Sequence, residues 1–568
     1  MSCALIFSSL TIPAAENAVG DAVRAFTASA ADDKAALPER YDARQEEPEI
    51  LTPVKTQTTP ICWAYATLGA IESCLIKKGY ADNTLDLAES ALIWFSIGQD
   101  SPTDPDDPRF GGGKNLGKEA YHTGSRPLQT VACLAAWQGV IPQCEVKDIT
   151  TRPVINESFR YASAAHLQNA DFFKSSDRSA IKSGILETGP MTISYFHNTN
   201  DPLSSKAGYY LGENAEKEIN EGKIEGGWHE AVIIGWDDGY AKENFNIEAP
   251  GDGAWIVKNS YGNFRNSENG YFYVSYYEPT IDEIVSFDME PATNYGSVHN
   301  YNCSELDKIY FSEKNCGLMT ANVFEAKEPE TVTAIGFFTL NAKSECTVSL
   351  YALDPGAQDP GDGTLVTEVT ETFAHEGFHT VRLPQSYRAE AGQKYAAVVK
   401  YPISTKQPVY FDTGCEKKGV SFYSFYTTED QRAWSDCYRV PHRGDVAIHV
   451  YTEYEGEEKE LFIHTYEGTH ITAYSEPLMQ DTLKRFDLDH NEYLTQEELN
   501  PVFDNLFDIN CDGQSDSRDV TLIKRALLGL QKTGTAYNWF SADLNGNSMF
   551  DEEDLEIFIS YTMQRPRG

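Results

Sequence analysis

Apolar positions fall into three successive regimes along the chain. In "PICWAYATLGAIESCLIKKGY" Trp63, Ala66, Ala70, Cys74 and Leu75 recur at helical spacing, and the stretch closes on Lys77, Lys78 and Gly79. Basic residues and a glycine are the mark of a helix C-terminus, so the pattern predicts a helix whose first turn holds Cys62. Between 186 and 280 the runs become strand-like, as in "PMTISYFH", "EAVIIGWDD", "GAWIVKNSY" and "GYFYVSYYE". Helix first and strands later indicate an α+β domain, placed at 38–284. Short strands with Gly, Pro and Asp turns then dominate ("TAIGFFTL", "CTVSLYAL", "KYAAVVKY", "VAIHVYTEY"), which predicts an all-β sandwich at 285–453. A connector containing the acidic "EYEGEEKE" covers 454–480. The end, 481–568, returns to helices between Asp/Asn-rich loops and reads as a small all-α module.

Length agrees with this multidomain reading, since 568 residues exceed what one ordinary core organises. With 86 acidic against 46 basic residues, the formal charge of -40 excludes nucleic acid as an expected partner, because phosphate binding needs clustered Lys and Arg. Residues 1–18 hold the apolar "ALIFSSLTIPAA" ahead of the first basic residue, Arg24. They read as a truncated secretory signal, with an ordinary buried segment as the alternative. Residues 19–37 follow as a linker or short pro-segment. No membrane span is expected. Eleven cysteines leave at least one unpaired, and Cys303, Cys316, Cys346, Cys415 and Cys437 share a region where bridges are an open question.

A thiol attacks acyl carbon as its thiolate, and a helix N-terminus favours that form by aiming unpaired N–H groups at the sulfur. Cys62 has this position, whereas Cys74, three turns on, fits a core role. The nucleophile needs a base and the base an orienter. His229 in "GGWHEAVIIGWDD" stands at a strand, where an imidazole can be held or can be merely structural. Asn259 in "WIVKNSYG" can orient it or be a turn residue.

The blocks "TPVKTQTTPICWAYA", "HEAVIIGWDDGY" and "WIVKNSYGNFRNSENGYFYV", in the order Cys, His, Asn, resemble the signatures of papain-like cysteine peptidases. "LPERYDAR" and "GGGKN" are similar to the bacterial secreted branch. The resemblance implies Cys62 as nucleophile, His229 as base and then acid, Asn259 as orienter and Gln57 as an oxyanion donor. It also implies that Gly112 and Gly113 let a peptide lie close to the backbone. Two departures stand out: "QTTPIC" is one residue shorter than usual, and Tyr261 replaces the tryptophan that shields the His–Asn hydrogen bond. No cofactor is expected for catalysis.

In the last module, "DINCDGQSDSRD" sets Asp508, Asn510, Asp512, Asp516 and Asp519 at loop positions 1, 3, 5, 9 and 12, with Gln514 offering a backbone carbonyl. "DLNGNSMFDEED" repeats this with Asp543, Asn545, Asn547, Met549, Asp551 and Asp554. Hard oxygen ligands at this spacing suit Ca2+. A third loop, "DLDHNEYLTQEE", offers Asp487, Asp489, Asn491, Tyr493 and Glu498 but has Glu492 where glycine is wanted. Aspartate at position 12 followed by "VTLIKRALL" resembles a dockerin. That implies a cohesin on a bacterial scaffold as partner, with Ser517, Arg518, Lys524 and Arg525 as candidate contacts. The β region, around "GLMTANVFEAKEPETVTAIGFFT", resembles the lectin-like domain of some papain-like peptidases. Its aromatics suit either carbohydrate binding or core packing.

The expectation is a secreted thiol endopeptidase acting on peptides or proteins and attached to a cell-surface, cellulosome-type complex by calcium-dependent docking. Its rivals are a catalytically impaired papain-like binding protein and a Cys–His acyltransferase such as a transglutaminase.

Overall fold

The computed structural model describes residues 37–98, 116–146, 149–198, 207–264, 266–301, 306–311, 316–404, 407–412, 417–427, 431–439, 444–455, 462–463, 469–470, 493–494, 509 and 517–527. The chain divides into two units, 1–39 and 40–568, and of the first only 37–39 are described. The expected signal segment therefore lies outside the described residues. So do Gly112, Gly113, Cys303, Cys415 and all the expected calcium ligands except Tyr493 and Asp519.

The long helix α1 (Cys62–Lys77) begins at the cysteine and is buried along nearly all its length. Alanines and one glycine on its surface allow close packing against a sheet. Lys78 caps its C-terminus, and Gly79 follows at φ +76°, as the C-terminal signal predicts. At the other end Ile61 supplies no side-chain cap, which leaves the amides of the first turn for other acceptors.

Behind α1 stand strands β1 (Arg40–Asp42), β2 (Ala165–Phe173), β3 (Met191–Asn198), β4 (Gly226–Asp237), β5 (Ala254–Lys258) and β6 (Tyr271–Ser275). Their central run is β3–β4–β5–β6, antiparallel throughout, and α1 packs on β4. In this register Tyr195 lies opposite His229 and Val232 opposite Lys258.

The second domain is a sandwich. One sheet holds β7 (Cys316–Glu325), β9 (Ser344–Leu353), β10 (Gly363–Phe373), β12 (Lys394–Ser404) and β13 (Ser421–Tyr426). The facing layer holds β8 (Glu330–Thr339), β11 (Glu376–Ala389) and β14 (Ile448–Thr452). Leu318, Val348 and Val399 meet Ile335, Phe337, Val381 and Val450 in a core between them.

The facing layer does not stop at the domain edge. Residues Glu376 to His379 of β11 pair with Phe172 to Asn169 of β2, and a short strand, Ile284–Val285, links β2 to β3. A single sheet of 13 strands among the described residues thus runs through both domains. Gly377 makes the junction possible: its φ is +148° and a Cβ there would collide with the Ala170 carbonyl. Beside it Trp137 stacks on His166 at 3.6 Å and on Tyr451 at 5.5 Å, while the Tyr451 hydroxyl donates to the Ala135 carbonyl.

One buried polar cluster braces the region around α1. Glu72, on the helix, accepts from Thr52 Oγ1 at 2.6 Å, from the Leu87 amide at 2.9 Å and from Lys55 at 3.2 Å. Lys55 also meets Glu89 at 2.8 Å and Asp86 at 2.6 Å. Lys258, the last residue of β5, donates to Thr52 through its backbone oxygen at 2.7 Å and its hydroxyl at 3.1 Å. Burial pushes Lys258 down to about 8 and Glu89 up to about 7.

Removing one charge from such a cluster leaves its partner desolvated and unpaired, which costs about 3–5 kcal/mol. Glu72→Gln is isosteric, so its unfolding free energy in urea is expected to fall by that order, and an unchanged midpoint would contradict the bracing role.

Stability should also depend on pH in a defined direction. Burial holds the carboxyls of Glu89, Glu230 and Asp445 up at about 7, 8 and 8, so the folded chain keeps protons that the unfolded chain has lost. Their burial costs nothing at low pH and destabilises increasingly as pH climbs through those values. Burial holds His166, His229, His379 and His449 down at about 4, 3, 3 and 4, so stability is lost as pH falls below the ordinary imidazole range. The opposing slopes balance near pH ~6. Urea midpoints are expected to peak there and decline toward pH ~8, whereas a midpoint that rises across that interval would contradict this assignment of buried groups.

Candidate active site

Three elements carry the expected catalytic residues. Cys62 opens α1, His229 sits near the start of β4, and Asn259 follows β5 directly. His229 is 4% exposed, and its Nε2 lies 2.9 Å from Asn259 Oδ1. That oxygen also accepts the Ser260 backbone N–H at 2.8 Å. A backbone amide can only donate, so the atom between them is the carbonyl oxygen, and Nε2 must carry its own proton. The proton-free nitrogen is therefore Nδ1. It lies 3.2 Å from the Tyr261 hydroxyl, which donates to it.

Aromatic rings enclose the imidazole. Tyr261 stacks on it at 4.8 Å, Tyr195 meets it edge-on at 5.6 Å and His197 lies at 5.3 Å. Burial, followed by the neighbouring His197, pushes His229 down to about 3. Cys62 is partly exposed, yet burial of its sulfur pushes the thiol up to about 11. The Glu230 backbone N–H and those of Trp63 and Cys62 pull the other way. Burial thus disfavours the charged form of each, and no hydrogen bond joins Cys62 to His229 among the described residues.

Gln57 is held by Ser260 on both sides: its amide N–H donates to the Ser260 carbonyl at 2.7 Å, and its Oε1 accepts from Ser260 Oγ at 2.6 Å. In the shortened "TTPI" turn, one proton of Nε2 goes to the Thr59 carbonyl at 2.9 Å. Its second proton meets no acceptor among the described residues. Cys74 is fully buried on the core side of α1. Cys62, Cys74, Cys133 and Cys346 are free thiols.

Sequence reading missed several contributors. Ser260 fixes both Asn259 and Gln57, yet nothing distinguishes it from a turn serine. His197 and Tyr195 belong to an apolar strand run, where their closeness to His229 depends on register. Glu72 and Lys258 carried a usable signal, because each is a charge inside an otherwise apolar run, "AIESC" and "WIVKN".

In the C-terminal module, helix α2 (Ser517–Leu527) starts where the first calcium loop should end. Asp519 is fully buried, and its Oδ1 accepts the amide of Ile509 at 2.9 Å, so the two ends of that loop meet. Arg518, Lys524 and Arg525 are exposed on the helix Ser517 begins. Tyr493 lies on a two-residue strand paired with 469–470, and its hydroxyl donates to Glu145 at 3.0 Å. No helix among the described residues is long and apolar enough to cross a membrane.

Comparisons with known proteins agree with these three parts. Residues 37–287 match the family model of the papain family cysteine proteases, 302–452 that of a lectin-like domain and 506–562 that of the dockerin type I domain. A comparison with curated proteins gives no match. Among solved structures, a variant of the clostridial cysteine protease Cwp84 after propeptide cleavage aligns with a TM-score of 0.57 at 20% identity, covering 73% of this chain and 99% of that one. The cysteine protease and lectin-like domains of Cwp84, a surface layer associated protein of Clostridium difficile, align with a TM-score of 0.55 at 20% identity, covering 75% and 90%. At that identity the likeness speaks for the fold. The chain is a cysteine peptidase, with a papain-family protease domain at 37–287 joined to a lectin-like domain and a type I dockerin.

Proposed function

We propose that this protein is an exported thiol endopeptidase in which Cys62, His229 and Asn259 hydrolyse peptide bonds through an acyl-enzyme. The observation that carries the reading is the tautomer: Ser260 fixes the Asn259 oxygen, Asn259 fixes the Nε2 proton, and Nδ1 is left as a base. The Cys62 proton passes to Nδ1 as sulfur attacks the scissile carbonyl carbon. Negative charge that develops on the carbonyl oxygen meets the Cys62 backbone N–H and the second Nε2 proton of Gln57. Collapse expels the amine, which takes the proton from Nδ1 and leaves a thioester on Cys62. Water then repeats the sequence, giving its proton to Nδ1 and its hydroxide to the acyl carbon.

Low local polarity supports this division of labour. A neutral pair in a buried site transfers its proton only as the carbonyl is engaged, so free thiolate does not accumulate for side reactions. Cys62→Ala should lower cleavage of a peptide library by more than about a thousandfold, with no new termini detected by mass spectrometry. Full cleavage by that variant would overturn the assignment, and amine incorporation by the wild type in place of new termini would favour acyl transfer.

Attachment is the second part of the proposal. The closed ends of loop 508–519 and the buried Asp519 carboxylate fit a hard cation, which would be held by Asp508, Asn510, Asp512, Asp516, Asp519 and the Gln514 carbonyl. Bound Ca2+ would supply the charge that lets these carboxylates share one site. It would thereby fix α2, whose Arg518, Lys524 and Arg525 face solvent as contacts for a cohesin on an extracellular scaffold. Calorimetric titration of the metal-stripped full chain with Ca2+ should lose one binding event in Asp508→Ala and another in Asp543→Ala. Isotherms identical to the wild type would remove calcium from these loops.

A further inference from the structure

The Tyr261 hydroxyl occupies the nitrogen that the nucleophile needs. Asn259 Oδ1 takes the Nε2 proton, so Nδ1 has one lone pair, and a lone pair accepts one good hydrogen bond at a time. Tyr261 donates to it at 3.2 Å from a ring that also lies over the imidazole, 29° from parallel. A stacking residue without a hydroxyl would shield the His–Asn pair equally well. The hydroxyl adds competition with the Cys62 thiol for the same atom.

We propose that Tyr261 gates the base: its hydroxyl holds His229 Nδ1 in the resting enzyme and releases it to the Cys62 proton when substrate enters. The inference rests on the Cys62–His229–Asn259 reading above. The geometry confines the motion to a side chain. Tyr261 is bridged through its backbone to Thr56, and the next residue, Gly262, donates its amide to the Lys55 carbonyl at 3.1 Å. Gly262 has φ +60° and lies against the Thr56 hydroxyl, so this turn is tightly fixed. The Tyr261 ring is partly exposed, with Phe264 edge-on at 5.8 Å and His197 at 5.7 Å, which leaves its solvent side open for rotation.

In the gated state Tyr261 O–H points to Nδ1 and Cys62 keeps its proton. In the open state the hydroxyl turns to substrate or water, the S–H proton passes to Nδ1, and sulfur bonds to the carbonyl carbon. Every bond and proton is accounted for within these groups and the peptide. One neutral hydrogen bond weighed against another shifts such an equilibrium by only about tenfold, enough to gate and weak enough for a substrate to reverse.

The surroundings make the gate measurable. The titratable groups around the imidazole are His197 and Tyr195 from β3, Cys62 from α1 and Tyr261 itself, while Glu230, the next residue on β4, lies on the opposite face and acts on Cys62. Burial holds His197 down at about 4, raises Tyr195 and Tyr261, and holds Glu230 up at about 8. Between those limits the only proton exchange expected at the site is between Cys62 and His229.

The test compares wild type, Tyr261→Phe, Tyr261→Trp and Cys62→Ala as full chains. Rates of Cys62 alkylation by iodoacetamide are measured between pH ~5 and ~8, alongside steady-state cleavage of one peptide. Tyr261→Phe keeps the ring and frees Nδ1. Its alkylation is expected to rise about five- to tenfold across this pH range, and its kcat/KM to rise similarly through a lower KM. Tyr261→Trp, which covers the imidazole without a phenolic hydroxyl, should do the same and serves if the phenylalanine variant folds poorly. Alkylation no faster than wild type in both variants, or a fall in kcat at constant KM, would overturn the gate. Cleavage that persists in Cys62→Ala would instead overturn the underlying assignment.

Discussion

Glu72 holds the catalytic elements in register. Its two carboxylate oxygens join α1 to the 52–55 segment and to the amide of Leu87, while Lys258 ties that same segment to the end of β5. Cys62 lies at the free end of α1, Asn259 directly follows Lys258, and Gln57 follows Lys55 by two residues. Cys62, Asn259 and Gln57 thus lie within a few residues of the cluster or on its helix, while His229 is tied to it only through Asn259. A buried ionic network is weak evidence for net stability, because desolvation consumes most of the attraction. What it supplies here is position: rotating α1 or sliding β5 would strand a charge in the core.

A second chain of constraint runs from Ser260. Its amide orients Asn259, its hydroxyl orients Gln57, and its carbonyl accepts the Gln57 amide. One small residue therefore orients both the Asn259 oxygen that fixes the His229 tautomer and the Gln57 side chain, the two features on which the proposed mechanism rests. The shortened "TTPI" turn changes how Gln57 is held, with Thr59 taking one of its protons. The loss of a residue is compatible with an oxyanion site because an amide nitrogen carries two.

The parts of the site that could be read from sequence were those with local rules. A helix starting at Cys62 follows from spacing and from the Lys-Lys-Gly ending, and strands at 191–198, 226–237, 254–258 and 271–275 follow from β-branched and aromatic runs. Contributors set by register escaped. His197 reaches His229 because β3 and β4 pair with Tyr195 opposite His229, and a slip of one residue would turn it away. The joining of β11 to β2 is likewise non-local: two strands about two hundred residues apart become neighbours, and only Gly377 hints at the close approach.

That shared sheet bears on how a peptidase can be attached without losing its geometry. The lectin-like domain shares the sheet that carries His229: β11 pairs with β2, and the Trp137–His166–Tyr451 stack joins β14 to the same region. Among the described rings around His229, Tyr261 is the one whose hydroxyl reaches Nδ1, which is why the proposed gate is placed on its side chain and not on the backbone that the sheet holds.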